Sequence, residues 1–568
     1  MVSRDELIDR CWSGRIVGDD VINRCISLLR TFAAASGGFR IETISGAGYR
    51  LVEEAMGAKS RRTARPWMLG GAAAVIVAAA VGGALLFQHN RTIEAPVLVE
   101  VQPLKAGADD RPALALGQGL ASSIEDHLAG SGTPVEIVDG GSRRDVSLAV
   151  RGTSISDHGE LRASLELVDA PSGEVIWARN VERPLSELDD LQDQMSLQIG
   201  RVLHCAYAEG RRPYFDSDRE FARLSLAHCD HLGGGAQEAV RLDSQIVQRA
   251  PRFARGWSEY AIDSAFAADE LPPLLQVAGE HRAVALARHA LALDPHQGLA
   301  YTAIGVAMNG IAPWAELERL ARRAIAADPK SPEAHNWHSG LLAGMGRLQS
   351  GLDEARLSYQ YDHFLPGKVD QLVRINIASG NLDDAQDEIA QGRRDFPGNP
   401  WWDRDAVLLG LAGRSPAQAL ALLSAGKVRM DAPRQRALAA FLRWRITPGA
   451  ASRAAAISAI DTTPADRDLM SDEVDLLAVL GEMDKAYALA ARLPASTSPD
   501  PRWFMPGLAK FRADARFMPL AARFGLAQIW LTTGLWPDFC TQETSVQSCK
   551  AKAAAAAAGH RGVASGHA

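Results

Sequence analysis

Residues 66–90 contain no Asp, Glu, Lys or Arg, and the central run at 67–87 reads WMLGGAAAVIVAAAVGGALLF. As a helix this run would measure about 31 Å, close to one hydrocarbon thickness. In lipid every backbone amide must be satisfied internally, so such a run crosses only as a helix. Trp67 and Phe87 stand at its ends, where aromatic rings favour the interface. Lys59, Arg61, Arg62 and Arg65 precede it, against Arg91 alone on the far side. The positive-inside bias therefore predicts a single-pass protein of a bacterial inner membrane, N-terminus cytoplasmic and C-terminal domains periplasmic, with lipid as one partner. Too many residues precede the run for a cleaved signal peptide.

The run also divides the charge. Of 61 Lys+Arg and 68 Asp+Glu, 11 and 8 lie in residues 1–66, so a basic head precedes an acidic body in a chain of net charge -7. A chain of 568 residues is too long for one core, and 47% hydrophobic with 23% charged residues excludes wholesale disorder.

In the head, Ser3-Arg4-Asp5-Glu6 is a capping box before the apolar positions Leu7, Ile8, Cys11 and Trp12. Asp19 and Asp20 cap a second helix, whose polar face offers Asn23, Arg24, Ser27, Arg30 and Thr31. Two short strands follow at 39–44 and 49–52, joined by Ser45-Gly46-Ala47-Gly48. The order helix, turn, helix, hairpin resembles the C-terminal half of the OmpR-type winged-helix DNA-binding domain over residues 2–53. With a membrane span behind it, the chain resembles membrane-integrated one-component regulators of the CadC/ToxR kind. That resemblance implies that the second helix enters the major groove and the wing meets the neighbouring minor groove. Asn23, Arg24, Ser27, Arg30 and Thr31 would then face double-stranded promoter DNA, with Arg50 beside the wing. Arg suits guanine and Asn suits adenine, whereas Ser and Thr serve phosphates. Met1 falls where the second helix of that domain begins, so we expect the true start to lie upstream.

After the span, strands at 96–104, 135–138, 146–156, 161–169 and 175–181, with helices at 114–128 and 185–203, predict a mixed sheet with helices packed on it. Residues 96–207 resemble the TolB N-terminal-like periplasmic domain, which implies recognition and no chemistry. Beyond it, Leu293-Asp294-Pro295 and Ala327-Asp328-Pro329 recur at the tetratricopeptide spacing of about 34 residues. Gly380 and Gly413 continue the pattern loosely, and Pro251 marks an earlier, divergent unit. One repeat cannot bury its own face, so several must stack into a solenoid with a concave surface suited to a protein or peptide partner. Trp314, Trp337, Trp401, Trp402 and Trp444 are read as core between repeats rather than as lining of that surface.

Cys11 and Cys25 lie on apolar helix faces of the head and read as core thiols. The other four cysteines, even in number, predict two local disulfides, Cys205 with Cys229 and Cys540 with Cys549. His228-Cys229-Asp230-His231 and His335-Asn336-Trp337-His338 lack a second ligand pair at zinc-like spacing, so no metal site is expected. No HExxH, GxSxG, P-loop or dinucleotide fingerprint occurs, so neither an enzyme nor a cofactor is expected. The acidic stretches at 187–193 and 383–388 read as solvated helix faces. The tail after Lys550 reads as low-complexity and disordered.

The fold expected is multidomain: a partial winged helix-turn-helix (α+β) at 1–53, a basic linker at 54–66, one transmembrane helix at 67–87, a small α/β domain at 96–210, an all-α tetratricopeptide-type solenoid at 215–530 and a Cys-containing C-terminal segment at 531–568. The function expected is a membrane-anchored transcriptional regulator whose outer domains sense a signal or protein. A homodimer of heads would read half-sites one helical turn apart. The alternative is a membrane-anchored tetratricopeptide scaffold with a non-functional head.

Overall fold

The computed structural model describes residues 39–44, 48–53, 96–129, 131, 133–139, 146–207, 211–231, 235–462, 470–494 and 501–564. The chain divides into two units, Met1–Ile93 and Glu94–Ala568. In the first, β1 (Phe39–Ile44) and β2 (Gly48–Glu53) pair antiparallel, Phe39 opposite Glu53 and Ile44 opposite Gly48. The remainder of the expected winged helix lies outside the described residues, as does the run at 67–87. No helix among the described residues is long and apolar enough to cross a membrane. The expected transmembrane helix, and the single-pass inner-membrane placement that depended on it, are corrected to that statement about the described residues.

The second unit opens with a five-stranded sheet. Its strands are β3 (Val97–Val101), β4 (Val135–Asp139), β5 (Leu148–Asp157), β6 (Glu160–Asp169) and β7 (Glu174–Pro184), in the order β4-β3-β5-β6-β7. β3 runs parallel to both its neighbours, while β5, β6 and β7 form an antiparallel meander. The β5–β6 turn is two residues, His158 and Gly159, both at positive φ, as the twist of a tight hairpin demands. Leu161, Ala163, Leu165 and Leu167 of β6 alternate inward. Cross-strand ion pairs on the other face join Arg151 to Glu166 and Arg162 to Glu182, each at 2.7 Å.

The single helix expected at 114–128 is broken into α1 (Arg111–Leu116) and α2 (Leu120–Leu128). Gly119 at φ 82 supplies the left-handed turn between them. Asp110 caps α1, accepting from Ala113 N at 3.1 Å, and accepts Ser156 N at 2.7 Å, which ties the helix start to β5. α3 (Leu188–Ala206) crosses the sheet and packs Leu191, Met195, Ile199, Val202 and Leu203 into the shared core.

Helices then follow in order: α4 (Arg212–Ser217), α5 (Arg219–His231), α6 (Ala236–Arg249), α7 (Ala254–Asp269), α8 (Pro273–Leu293), α9 (Gly298–Ala307), α10 (Trp314–Ala327), α11 (Pro332–Gly344), α12 (Leu348–Tyr361), α13 (Pro366–Ser379), α14 (Leu382–Asp395), α15 (Trp401–Ala412), α16 (Pro416–Ser424), α17 (Ala432–Ile446), α18 (Ala450–Asp461), α19 (Met470–Val479) and α20 (Met483–Ala490). From α7 onward they stack as pairs, each first helix touching the first helix of the next pair. Two devices set the period. Asp294, Asp328 and Asp362 end α8, α10 and α12 in extended backbone. Each accepts the amide two residues on, from His296, Lys330 and Phe364 at 3.0, 3.2 and 3.0 Å. Such an Asx turn ends one helix and aims the next. Within five of the pairs the turn is made by a glycine at positive φ, Gly310, Gly346, Gly380, Gly413 and Gly481, whereas the α7–α8 turn has no glycine and the α17–α18 turn has Gly449 in extended backbone.

The first helices must pack closely. A Cβ on Gly305 of α9 would lie 1.9 Å from the Trp337 ring of α11, and one on Gly392 would lie 2.7 Å from Trp402. Trp337 and Trp402 thus fill the space between helices.

The C-terminal segment folds back across the stack. It contains α21 (Ala509–Ala513), α22 (Phe517–Arg523), α23 (Leu526–Thr533), α24 (Phe539–Gln542) and α25 (Val546–Ala564). The tail expected to be disordered is therefore helical to Ala564, with Ala553 and Ala557 buried in the largest core. Alanine has the highest helix propensity, and a smooth Ala face packs against α22 and α23.

Candidate functional site

Asn23, Arg24, Ser27, Arg30 and Thr31 lie outside the described residues, and Arg50 stands on β2 opposite Glu42 in register. Cys205 of α3 is bonded to Cys229 of α5, which fastens the α/β part to the helices, and Cys540 is bonded to Cys549.

The concave surface expected to receive a partner is closed. Along α7, α9, α11, α13 and α15 only Phe266, Asp269 and Arg374 are exposed. Part of the cover is the α/β region. Phe364, fully buried in the α12–α13 connection, sits where a Cβ on Gly200 of α3 would meet its ring at 2.7 Å. His127 of α2 stacks on His363 with ring centroids 5.5 Å apart, and His127 Nδ1 lies within hydrogen-bonding distance of His363 Nε2 at 3.3 Å. His204 of α3 bonds Thr133 at 2.7 Å. Burial lowers the pKa of all three histidines, that of His363 to about 4, with His127 reinforcing it.

Two further polar clusters lie inside the helical stack. In the first, His228 of α5 has Nδ1 3.1 Å from Asp243 Oδ1 of α6, and Glu259 of α7 is gripped by Arg211 and by Arg255, the latter at 3.1 Å. His228, Asp243 and Glu259 are near enough for one cation. Burial would raise Glu259, but the two guanidiniums outweigh it and hold its pKa at about 2. Both Glu259 oxygens are thus engaged. Burial raises the pKa of Asp243 and of Asp263 well above the carboxylate range, and the two are hydrogen-bonded to each other.

The second cluster is a ladder across α10, α11 and α12. Glu318 contacts His338 Nε2 at 3.1 Å, Glu354 contacts His338 Nδ1 at 3.2 Å, and Glu354 also contacts His335 at 2.5 Å. Burial opposes protonation of His338, yet the two glutamates raise its pKa to about 9. The HNWH sequence therefore serves as a clamp between three helices. The acidic stretch at 383–388 is only partly solvated. Burial pushes Glu388 up to about 7, while Asn376 Nδ2 donates to both its oxygens at 3.0 Å.

The feature open to a partner is the edge formed by the turns within the helix pairs. On the later pairs this edge is covered by the chain itself. Trp530 Nε1 donates to Met345 O at 2.9 Å, Asp538 N donates to Gly346 O at 2.9 Å, and Trp314 Nε1 donates to Phe524 O at 2.9 Å. Phe504 and Pro537 press on Gly346, and Pro506 presses on Gly380. On the earlier pairs the same edge is uncovered. Phe266 at the end of α7 is 49% exposed, Leu275 and Val277 at the start of α8 are 53% and 54%, and Ile311 in the α9–α10 turn is 64%. All four lie at or near the ends of neighbouring helices, α7, α8 and the α9–α10 turn, which no scan for motifs would group.

No family model matches the chain, and no curated protein matches it. Among solved structures, the APC/C hetero-tetramer Cut9-Hcn1 aligns at 10% identity over 54% of this chain and 62% of that one, with a TM-score of 0.38. Yeast Tom70 aligns at 13% identity over 77% of this chain and 86% of that one, TM-score 0.28. Naa15/Naa10 bound to HypK-THB aligns at 16% identity over 59% and 51%, TM-score 0.21. The chain thus spans under two thirds of the length of Cut9-Hcn1 and of Naa15/Naa10. The transcription-regulation and DNA-binding expectation is corrected to a helical-repeat fold, which is what most of the described residues form.

Proposed function

We propose that this chain is a non-catalytic interaction protein that binds a protein partner on the surface of its tetratricopeptide-type repeats. The observation that carries this reading is the set of large apolar side chains left in water on well-packed helices: Phe266, Leu275, Val277 and Ile311. Grouped exposed apolar residues on an otherwise well-buried chain mark interaction surfaces. The closed inner face directs a partner to the outside of the stack. Affinity purification of the full chain from its native cells, with quantitative mass spectrometry, tests the proposal. A partner protein recovered in near-equal amount is expected; recovery of the chain alone would contradict it.

A further inference from the structure

The turn edge changes character within one connection. Ala312 and Trp314 pack against the core that includes the C-terminal segment, while Ile311, one residue earlier, stands in water. On the covered side the chain supplies Phe504, Pro506, Trp530 and Pro537, and from the same segment Arg502 pairs with Asp472 and, at 3.4 Å, with Asp475. The cover over those turns is thus apolar, and Arg502 beside it reaches carboxylates in the first turns of α19.

The uncovered side presents exposed apolar side chains beside carboxylates. α7 and α9 are adjacent and run in the same direction, so the end of α7 and the α9–α10 turn lie on one edge. α8 packs antiparallel on α7 through Gly279, whose Cβ would meet that of Ala268 at 2.8 Å, which brings the start of α8 to the same edge. Asp269 and Glu270 close α7 there, both exposed, and neither is paired with a cation among the described residues. Two neighbouring carboxylates without a counter-charge disfavour a symmetric contact with a second copy, which would bring four together.

We infer that the edge formed by the end of α7, the start of α8 and the α9–α10 turn receives a segment of a protein partner, bearing large apolar side chains and at least one Lys or Arg. The segment continues the strip that the chain's own C-terminal region lays over the later turns. Its apolar residues cover Phe266, Leu275, Val277 and Ile311, and its cation answers Asp269 and Glu270. This inference rests on the interaction reading and locates the surface it uses.

Site-specific photo-crosslinking in native cells tests it, with benzoylphenylalanine placed in the full chain at Leu275 or Ile311, and at the exposed Ile446 as control. The expected result is one adduct from positions 275 and 311, none from 446, with the crosslinked peptide containing apolar residues beside Lys or Arg. Charge reversal by Asp269→Lys with Glu270→Lys should weaken the adduct several-fold and leave thermal melting unchanged. An adduct with peptides of this chain, or one indifferent to the charge reversal, would overturn the inference. So would co-purification of a partner that never crosslinks at this edge, a result that leaves the interaction reading standing. If no partner co-purifies at all, both fail together.

Discussion

The turns of α11–α12 and α13–α14 and the turn of α7–α8 belong to one stack, yet only the first two are covered by the chain's own C-terminal segment, whose cover reaches Trp314 at the α9–α10 turn and leaves Ile311 exposed. The difference teaches what the repeat alone leaves undone. Stacking buries the faces between helix pairs, and the inner face is filled by close packing and by the α/β region. The turn edge has no neighbour within the repeat, so whatever covers it must come from elsewhere. Over the later turns it is a segment roughly two hundred residues away in sequence, held by indole-to-carbonyl bonds and by prolines on glycines.

The comparison can be broken most sharply at Trp530. It is fully buried, and Trp530→Ala should cost about 3–5 kcal/mol in urea unfolding. A cost below about 1 kcal/mol would mean that the C-terminal cover is not integral to the stack. The two turn glycines give the next contrast. Gly346 and Gly310 both have positive φ, so alanine at either costs about 1–2 kcal/mol in backbone strain. At Gly346 a Cβ also meets Phe504 and Pro537 at 2.7 Å, which adds about 1–3 kcal/mol of overpacking. Gly346→Ala should therefore destabilise more than Gly310→Ala, and equal costs would argue that the cover is loose.

pH separates the joints in a different way. The pKa of His338 is raised to about 9 in the fold, so its contribution is complete below the unfolded value near 6.5. That contribution is lost as pH rises through 9, and His338→Gln should remove the alkaline part of the stability profile. The pKa of His363 is lowered to about 4, so the unfolded chain binds the proton first. The stability of the joint between α2, α3 and the helices is present above about 6.5 and declines as pH falls towards 4. His363→Phe should flatten that acid limb, measured by chemical denaturation across pH. The smallest effect on stability belongs to the uncovered edge: Phe266→Ser should change it by no more than about 0.5 kcal/mol while reducing partner recovery.

The repeat was legible where one residue type carried the geometry. Asp294 and Asp328 are each followed by Pro, and the spacing showed through. Asp362 makes the same Asx turn at the same period but is followed by His363, so the signature is absent while the hydrogen bond remains. The succession of strands along the α/β part was also legible, because alternation and turn residues are local, but their order in the sheet was not. The C-terminal tail was not, since an Ala-rich composition describes a disordered segment and a buried helix equally well until a partner face is known. Nor were the polar clusters. Asp243, Glu259 and Glu318 sit on different helices, and only their assembly reveals that carboxylates resembling solvated surface are enclosed. The run at 67–87 suggested a span by length and hydropathy alone, and no described helix meets that description.

Hydrogen–deuterium exchange on the full chain, alone and with its co-purified partner, tests the central claim most directly. Alone, the backbone at 345–347 and 379–381 should exchange slowly and that at 270–272 and 309–311 rapidly. On adding the partner, protection should appear at 266–277 and 309–311 and leave the later turns unchanged. Equal exchange at all four turns of the isolated chain, or new protection confined to other surfaces, would contradict the account.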